Sequence, residues 1–382
     1  MLFAFDDAQC RSLAETHGTP CFAYSGAAAT AQFTALRAVL PSRVRLAYAV
    51  KANPHPGLLA RFAALGASFD CASIGELERV EALKLPPGRT FFAGPGKRET
   101  ELLRALVMGV RVQAEGFEDL ARLDAMADRE VPVNLRVHPA FDIDEGNRII
   151  GGSGPSAFGV DEEEVPALLE KAVKLRHVRI RGLHVFAASN QRDAAKLRTI
   201  HGAVLNLAKR LHEAHGMTFE QIDLGGGLGV PYAPDEAPLD LAAFGQGLSE
   251  LLAEHAWFSG ELILEPGRFL AGPCGIYLAR VVRIKESRGT RFAILEGGIN
   301  HLIRPLLTGQ PFPVRTVGKG HGTLSYTLAG PLCTSLDRLG EVRLPELVPG
   351  DLLAFGTTGA YGLNEGMTHF LSHPVPPEVW VE

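Results

Sequence analysis

From about residue 25 to residue 270 the chain alternates short apolar segments with amphipathic segments of helical length, and eight apolar segments follow one another in order. They are RLAYAV (45–50), ASFDCA (67–72), RTFFAG (89–94), VRVQAEG (110–116), VPVNLRV (131–137), VRIRGLHVF (178–186), EQIDLGG (220–226) and ELILEPG (261–267). Between them, GELERVEALK (75–84), TELLRALVMG (100–109) and AAFGQGLSELLAEHA (242–256) repeat leucine at three- and four-residue spacing, the mark of a helix with one buried face. Strand followed by helix, eight times over, is the repeat of a (β/α)8 TIM-like barrel, because neighbouring parallel strands need a crossover helix. The spacing predicts such a barrel over residues 25–270.

After Arg268 the texture changes. The segments 271–286, 291–298, 321–330, 350–361 and 377–382 are rich in β-branched and aromatic residues, broken by Gly and Pro, with little helical period. A second, all-β domain is expected from 271–382, with residues 1–24 joined to it. Residues 140–157, AFDIDEGNRIIGGSGPSA, form a long Gly- and charge-rich excursion after the fifth strand, which suggests a loop over the barrel mouth.

Composition narrows the function. With 46% hydrophobic and 21% charged residues the chain can bury a large core, and no stretch approaches the ~20 apolar residues of a membrane span. A net charge of -5 offers no overall attraction to nucleic acid or to an anionic membrane, so small-molecule chemistry is the better expectation. The opening MLFAFDDAQC has two aspartates where a signal peptide carries a basic region, which predicts a cytoplasmic protein. The five cysteines (Cys10, Cys21, Cys71, Cys274, Cys333) form no CxxC pair and lie beside no histidine at metal-ligand spacing; no metal is expected.

Active sites of such barrels lie at the C-terminal ends of the strands, so the polar residue closing each apolar segment is the one to examine. The first strand ends in Lys51, the second in Asp70, the fifth in Arg136, the sixth in His184, the seventh in Gly225-Gly226-Gly227 and the eighth in Glu265. Singly these signals are weak: Lys51 could snorkel to solvent, and His184 could be a satisfied core histidine. GGGLG (225–229) lacks the spacing of a dinucleotide fingerprint and more plausibly brings backbone N–H groups to a phosphate. Together, a lysine able to form a Schiff base, an imidazole, a carboxylate, an arginine and a glycine turn meet the needs of an aldehyde cofactor with a ring nitrogen and a phosphate: pyridoxal 5'-phosphate.

YAVKAN (48–53), FDCAS (69–73), the segment from His184, DLGGGLG (223–229), EPGR (265–268), INHLIRP (299–305), GPLC with the later Asp337, and GAYG (359–362) resemble the fold-type III pyridoxal-phosphate amino-acid decarboxylases, the group of diaminopimelate and ornithine decarboxylases. The motifs run in order from about residue 20 to 380. The resemblance implies an alanine-racemase-like barrel with a C-terminal β domain. It implies that Lys51 carries the cofactor, with Asp70 and Arg136 near it and His184 stacked on its face. Gly226, Gly227, Gly267 and Arg268 would hold the phosphate and its surroundings, Glu265 the pyridine nitrogen, and Tyr361 the phosphate from the β domain. Arg304, with Arg268 and Tyr361, would face the substrate carboxylate, and Cys333 would return a proton to the carbanion. In that family the cysteine comes from the partner subunit, so the implied unit is a homodimer with shared sites.

Three positions depart from the family. The acid that follows the cysteine in diamine-specific members and binds a distal ammonium is here Thr334. The tyrosine of an RPxxY pattern is here Thr308. The serine expected three residues after His184 is Ala187, leaving Ser189 for the phosphate hydroxyl. GGSGPSAFGV (151–160) resembles a subgroup acting on conjugated amino acids, including enzymes of carboxylate-siderophore assembly and of carrier-bound glutamyl decarboxylation. A citryl-diaminopropionate type of substrate is expected, the alternative being a free diamino acid such as diaminopimelate, ornithine or lysine. A racemase would place arginine at the pyridine nitrogen, against Glu265, and a non-enzymatic relative would lack Lys51 or Cys333.

Overall fold

The computed structural model describes residues 2–141, 154–186 and 188–382, so most of the excursion expected over 140–157, and Ala187, lie outside the described residues. The chain divides into two compact units, one of residues 33–229 and 238–267, the other of residues 1–32, 230–237 and 268–382.

In the first unit eight strands close a parallel barrel: Val44–Ala49, Ser68–Cys71, Thr90–Phe92, Arg111–Ala114, Val131–His138, Val178–His184, Gln221–Asp223 and Glu261–Leu264. Each pairs in parallel with the next, and Leu262–Leu264 pair with Val44–Leu46 to close the ring. Val160–Asp161 adds a short parallel strand beside the fifth. Parallel strands are covered on both faces, which is why these segments read as apolar runs without alternation. Phe69, Phe91, Val133, Leu183, Ile222 and Ile263 are fully buried.

The helices carry their own start and stop signals. Asp193 accepts hydrogen bonds from the N–H groups of Ala195 and Lys196 at the head of Ala194–His215, and Gly216 ends that helix in the left-handed region. Its buried face runs Leu197, His201, Val204, Leu205, Ala208, Leu211, the three- and four-residue period of an inward stripe.

The second unit is one eight-stranded, mostly antiparallel sheet. The 13-residue strand Gly275–Ser287 pairs antiparallel with Cys21–Ser25, Thr290–Leu295 and Leu352–Phe355. Cys21–Ser25 also pairs in parallel with Glu378–Val381, tying both chain ends into one sheet. Val314–Thr316, Leu324–Ala329 and Arg338–Leu344 complete it. Phe5, Cys10, Cys21, Ile276, Leu278 and Ala354 pack beneath it. Burial pushes the Cys10 thiol up to about 12 and Cys21 to about 11, so both behave as small apolar groups. Among the described residues no helix is long and apolar enough to cross a membrane.

Candidate active site

Lys51 lies in a 3-10 turn, Val50–Ala52, directly after the first barrel strand. Its Nζ is 2.7 Å from Oδ2 of Asp70, which sits inside the second strand and is almost wholly buried. The lysine is a third exposed, so its amine is held by a buried carboxylate yet stays reachable. Burial raises the Asp70 carboxyl, the charge of Glu265 adds to that, and Lys51 and His184 oppose it.

His184 ends the sixth strand with its Nε2 3.7 Å from Oε2 of Glu265, both groups buried. Neither ring nitrogen of His184 has a hydrogen-bond partner among the described residues, nor has Oδ1 of Asp70. Beside Glu265 lies a second buried acid, Asp223, at the end of the seventh strand. Nε2 of Gln113 donates to Oδ2 of Asp223 at 3.0 Å and to Oε1 of Glu265 at 3.2 Å. Two carboxylates so close do not both ionise. Burial and the Glu265 charge push Asp223 well up, whereas Glu265, despite its own burial, is brought down to about 2 by His184, Lys51 and Asp223. Glu265 is the anion of the pair. His184, Asp223 and Glu265 present ligand-capable atoms within 4.8 Å of one another, all three side chains being buried.

The glycine turn meets this acid from behind. A Cβ on Gly226 would stand 2.6 Å from the Glu265 carbonyl oxygen, and one on Gly227, at φ +97°, would stand 2.5 Å from the Ala188 Cβ. Only glycine lets the turn pass there. The N–H groups of Gly226 and Gly227 have no hydrogen-bond partner among the described residues. Gln191 donates its N–H to the Gly227 carbonyl at 2.8 Å, which lays the segment carrying the partly buried Ser189 along the turn. Gly267 packs its bare Cα against Ala49 and Ala52, beside the lysine turn.

Arg136 is otherwise engaged. Its Nη1 bonds Oε1 of Glu115 at 2.9 Å, and its guanidinium carbon lies 4.6 Å from the centre of the Phe158 ring. Glu115 also takes the N–H groups of Gly94 at 2.9 Å and Gly159 at 2.7 Å. That arginine fastens the strand end to the chain returning at Phe158–Gly159.

The second unit holds its own charged cluster. Arg268 and Arg304 are both more than nine-tenths buried. Arg268 donates to the Tyr232 hydroxyl at 2.7 Å, and the two guanidinium carbons lie 4.6 and 5.5 Å from the centre of the Tyr361 ring. Burial lowers the Arg304 guanidinium and the charge of Arg268 lowers it further, while Arg268 is raised, against burial, by the two tyrosines and Glu365. Cys333 is exposed, in contrast to the four other cysteines. Its loop is pinned by buried Asp337, whose oxygens take the N–H groups of Ile299 at 2.8 Å and Leu332 at 2.7 Å. Thr334 accepts the Leu336 N–H at 3.3 Å, and Thr308 donates to the Arg304 carbonyl at 2.9 Å within its own turn.

The barrel cluster fits pyridoxal phosphate by its own chemistry. An amine within reach of solvent, a buried anion, an imidazole with both nitrogens unpartnered and two adjacent free N–H groups are what an aldehyde, a ring nitrogen, a ring face and a phosphate require. The family model described as "Pyridoxal-dependent decarboxylase, pyridoxal binding domain" matches residues 27–272. The chain belongs to the pyridoxal-dependent decarboxylases. As a fold-type III member it is a pyridoxal-phosphate-dependent amino-acid decarboxylase. It is 30% identical to the L-glutamyl-[BtrI acyl-carrier protein] decarboxylase of Niallia circulans, over 98% of this chain and 91% of the relative. With the diaminopimelate decarboxylase of Zymomonas mobilis it shares 32%, over 98% and 90%. The crystal structure of diaminopimelate decarboxylase from Helicobacter pylori complexed with L-lysine superposes with a TM-score of 0.88 at 27% identity, covering 97% of this chain and 94% of that one.

Sequence reasoning passed over Asp223, Gln113, Glu115, Tyr232 and Glu365. Asp223 carried a signal, being the polar residue that ends the barrel strand Gln221–Asp223, and Gln113 is a fully buried polar residue within Arg111–Ala114. Tyr232 and Glu365 lie in irregular segments where no period marks a buried face.

Proposed function

We propose that this decarboxylase acts on an α-amino acid whose far end is conjugated, as in a citryl-diaminopropionate of carboxylate-siderophore assembly, releasing carbon dioxide and an amine. The observation carrying this reading is the buried pair Arg268 and Arg304, a site for a carboxylate-bearing tail, in a unit where neutral Thr334 stands in place of the ammonium-binding acid. The Niallia circulans relative, whose name describes a glutamyl group held on a carrier protein, supports a substrate joined at its other end. A free diamino acid is the second reading, favoured by the relatives named diaminopimelate decarboxylase.

Bound pyridoxal phosphate supplies an electron sink for the pair left at Cα when the bond to the carboxyl carbon breaks. Lys51 would hold the cofactor's aldehyde through its Nζ, which Asp70 fixes from 2.7 Å. Glu265, whose pKa is brought down to about 2, would keep a proton at the cofactor's ring nitrogen, with Asp223, whose carboxyl burial pushes well up, beside it. His184, buried beside Glu265, would cover the cofactor's ring and keep water from it. The N–H groups of Gly226 and Gly227, with Ser189, Gly267 and Tyr361, would take the phosphate, while Arg136 steadies its own strand end through Glu115. Arg304 and Arg268 orient the substrate through its carboxylate, and Cys333 returns a proton to Cα. The exposure of Cys333, and of Leu306, Leu307 and Leu336 in the same unit, supports a homodimer in which the cysteine serves the other subunit's site.

The test is carbon dioxide release by the purified holoenzyme over meso-diaminopimelate, ornithine, lysine, 2,3-diaminopropionate and its citryl conjugate. The citryl conjugate is expected to lead, with Lys51→Ala inactive on all. Faster turnover of a free diamino acid contradicts the conjugate reading.

A further inference from the structure

The charged cluster of the second unit contains an acid to which nothing so far gives a role. Glu365 follows Tyr361 by four residues, in the 3-10 turn Leu363–Glu365. Its carboxylate acts electrostatically on Arg304 and Arg268, and burial raises its pKa against that attraction. Two guanidiniums and one carboxylate leave the cluster one positive charge in excess, which suits a single incoming carboxylate. Two atoms there have no hydrogen-bond partner among the described residues: Nε of Arg304, in a side chain more than nine-tenths buried, and Oε2 of Glu365, itself withdrawn from solvent. Neither pairs with the other. Buried polar atoms are rarely left this way in a protein with its ligand in place, because each forfeits the hydrogen bond it made in water.

One donor and one acceptor, both unsatisfied among the described residues and on side chains whose charges act on each other, specify the chemistry that would satisfy them. The ligand needs an oxygen for Arg304 and an N–H for Glu365, close together. An ester or a bare carboxylate supplies only the first. We propose that Glu365 is a specificity-determining residue, accepting an N–H from the far end of the substrate while Arg304 and Arg268 hold that end's carboxylate. An amide-linked polycarboxylate and a zwitterionic amino-acid end share this chemistry, and the experiment separates them. The inference rests on the proposed reading that the second unit receives the substrate's tail.

Wild-type enzyme, Glu365→Gln and Glu365→Leu are compared as holoenzymes on the citryl amide of 2,3-diaminopropionate, the isosteric citryl ester of serine and meso-diaminopimelate, reading kcat and KM separately. In parallel, calorimetry measures binding of the two decarboxylated products, the citryl amide of ethylenediamine and the citryl ester of ethanolamine. Wild type is expected to prefer amide over ester by about 10-fold or more in kcat/KM, the range of a hydrogen bond to a charged group. Glu365→Leu is expected to erase that preference through KM while ester turnover stays within about 2-fold, which also shows that the variant folds; Glu365→Gln, still an acceptor, keeps part of it. If diaminopimelate alone is turned over and Glu365→Leu raises its KM about 10-fold, the conjugate reading fails and the role of Glu365 stands. If the conjugates are turned over with the same amide-to-ester ratio in all three proteins, the role of Glu365 is overturned and the conjugate reading stands. Absence of both turnover and any amide-to-ester difference in binding overturns both.

Discussion

Acid should weaken the barrel through a residue remote from the chemistry. His201 lies in the middle of the helix Ala194–His215, is fully buried edge-on to Phe244, and has no hydrogen bond at either ring nitrogen among the described residues. Burial lowers its pKa to about 4. In the unfolded chain the imidazole titrates near ~6.5, so as pH falls the unfolded state takes up the proton first. The stability His201 contributes is complete above about pH 6.5, is lost progressively down to about pH 4, and changes no further below that. Each unit of pKa difference is worth about 1.4 kcal/mol, so the full loss is about 3 kcal/mol and the part lost between pH 7 and pH 5 is about 2 kcal/mol. His201→Leu removes the titration while keeping an apolar group against Phe244. Urea unfolding of the barrel, followed at pH 7 and pH 5 for both proteins, is expected to show a pH-dependent loss about 2 kcal/mol smaller in the variant. Equal losses in the two proteins would refute the assignment of His201 as a buried neutral imidazole.

Placing an acid at Thr334 restores the group that diamine-specific relatives carry; Thr334→Glu is expected to raise kcat/KM for free meso-diaminopimelate by roughly 10- to 150-fold and to lower it for the citryl conjugate. An unchanged ratio of the two would show that Thr334 does not face the tail. Asp337→Ala strips the partners from two buried N–H groups, those of Ile299 and Leu332. It is expected to cost the β unit about 2–5 kcal/mol in denaturant unfolding while the barrel's transition stays put, and a loss under about 1 kcal/mol would contradict the anchoring role.

The barrel was legible because its physics is local and repetitive. Strands covered on both faces must be apolar throughout, so VPVNLRV and ELILEPG stand out, and the polar residue ending each run lands at the mouth by geometry. Lys51, His184 and Glu265 were found that way, and the structure brings Lys51 to Asp70 and His184 to Glu265. The method failed at Gln113, which sits inside its strand and not at the end, and at Asp223, which does end its strand but is followed at once by the glycine turn that was read as the strand's close. In the β unit the short strand Val314–Thr316 and the charged Arg338–Leu344 escaped notice. The latter does alternate from Gly340 to Leu344, with Glu341 and Arg343 exposed between partly or fully buried Gly340, Val342 and Leu344, and a period-two search would have found it. Arg136 shows a different limit: the residue type suggested a role beside the lysine, yet its charge is met by Glu115, a partner 21 positions away that no spacing rule links to it.

The central claim concerns the tail of the substrate, and a direct competition tests it most sharply. Equal concentrations of the citryl conjugate of 2,3-diaminopropionate and meso-diaminopimelate, each labelled differently in the α-carboxyl carbon, are offered together to the holoenzyme, and the isotopes in the released carbon dioxide are counted. The ratio of the two labels is the ratio of kcat/KM. A ratio of about 10 or more in favour of the conjugate is the predicted result. A ratio favouring diaminopimelate would contradict the account of the tail, and would leave the decarboxylase built on Lys51 and Glu265 with a free diamino acid as its substrate.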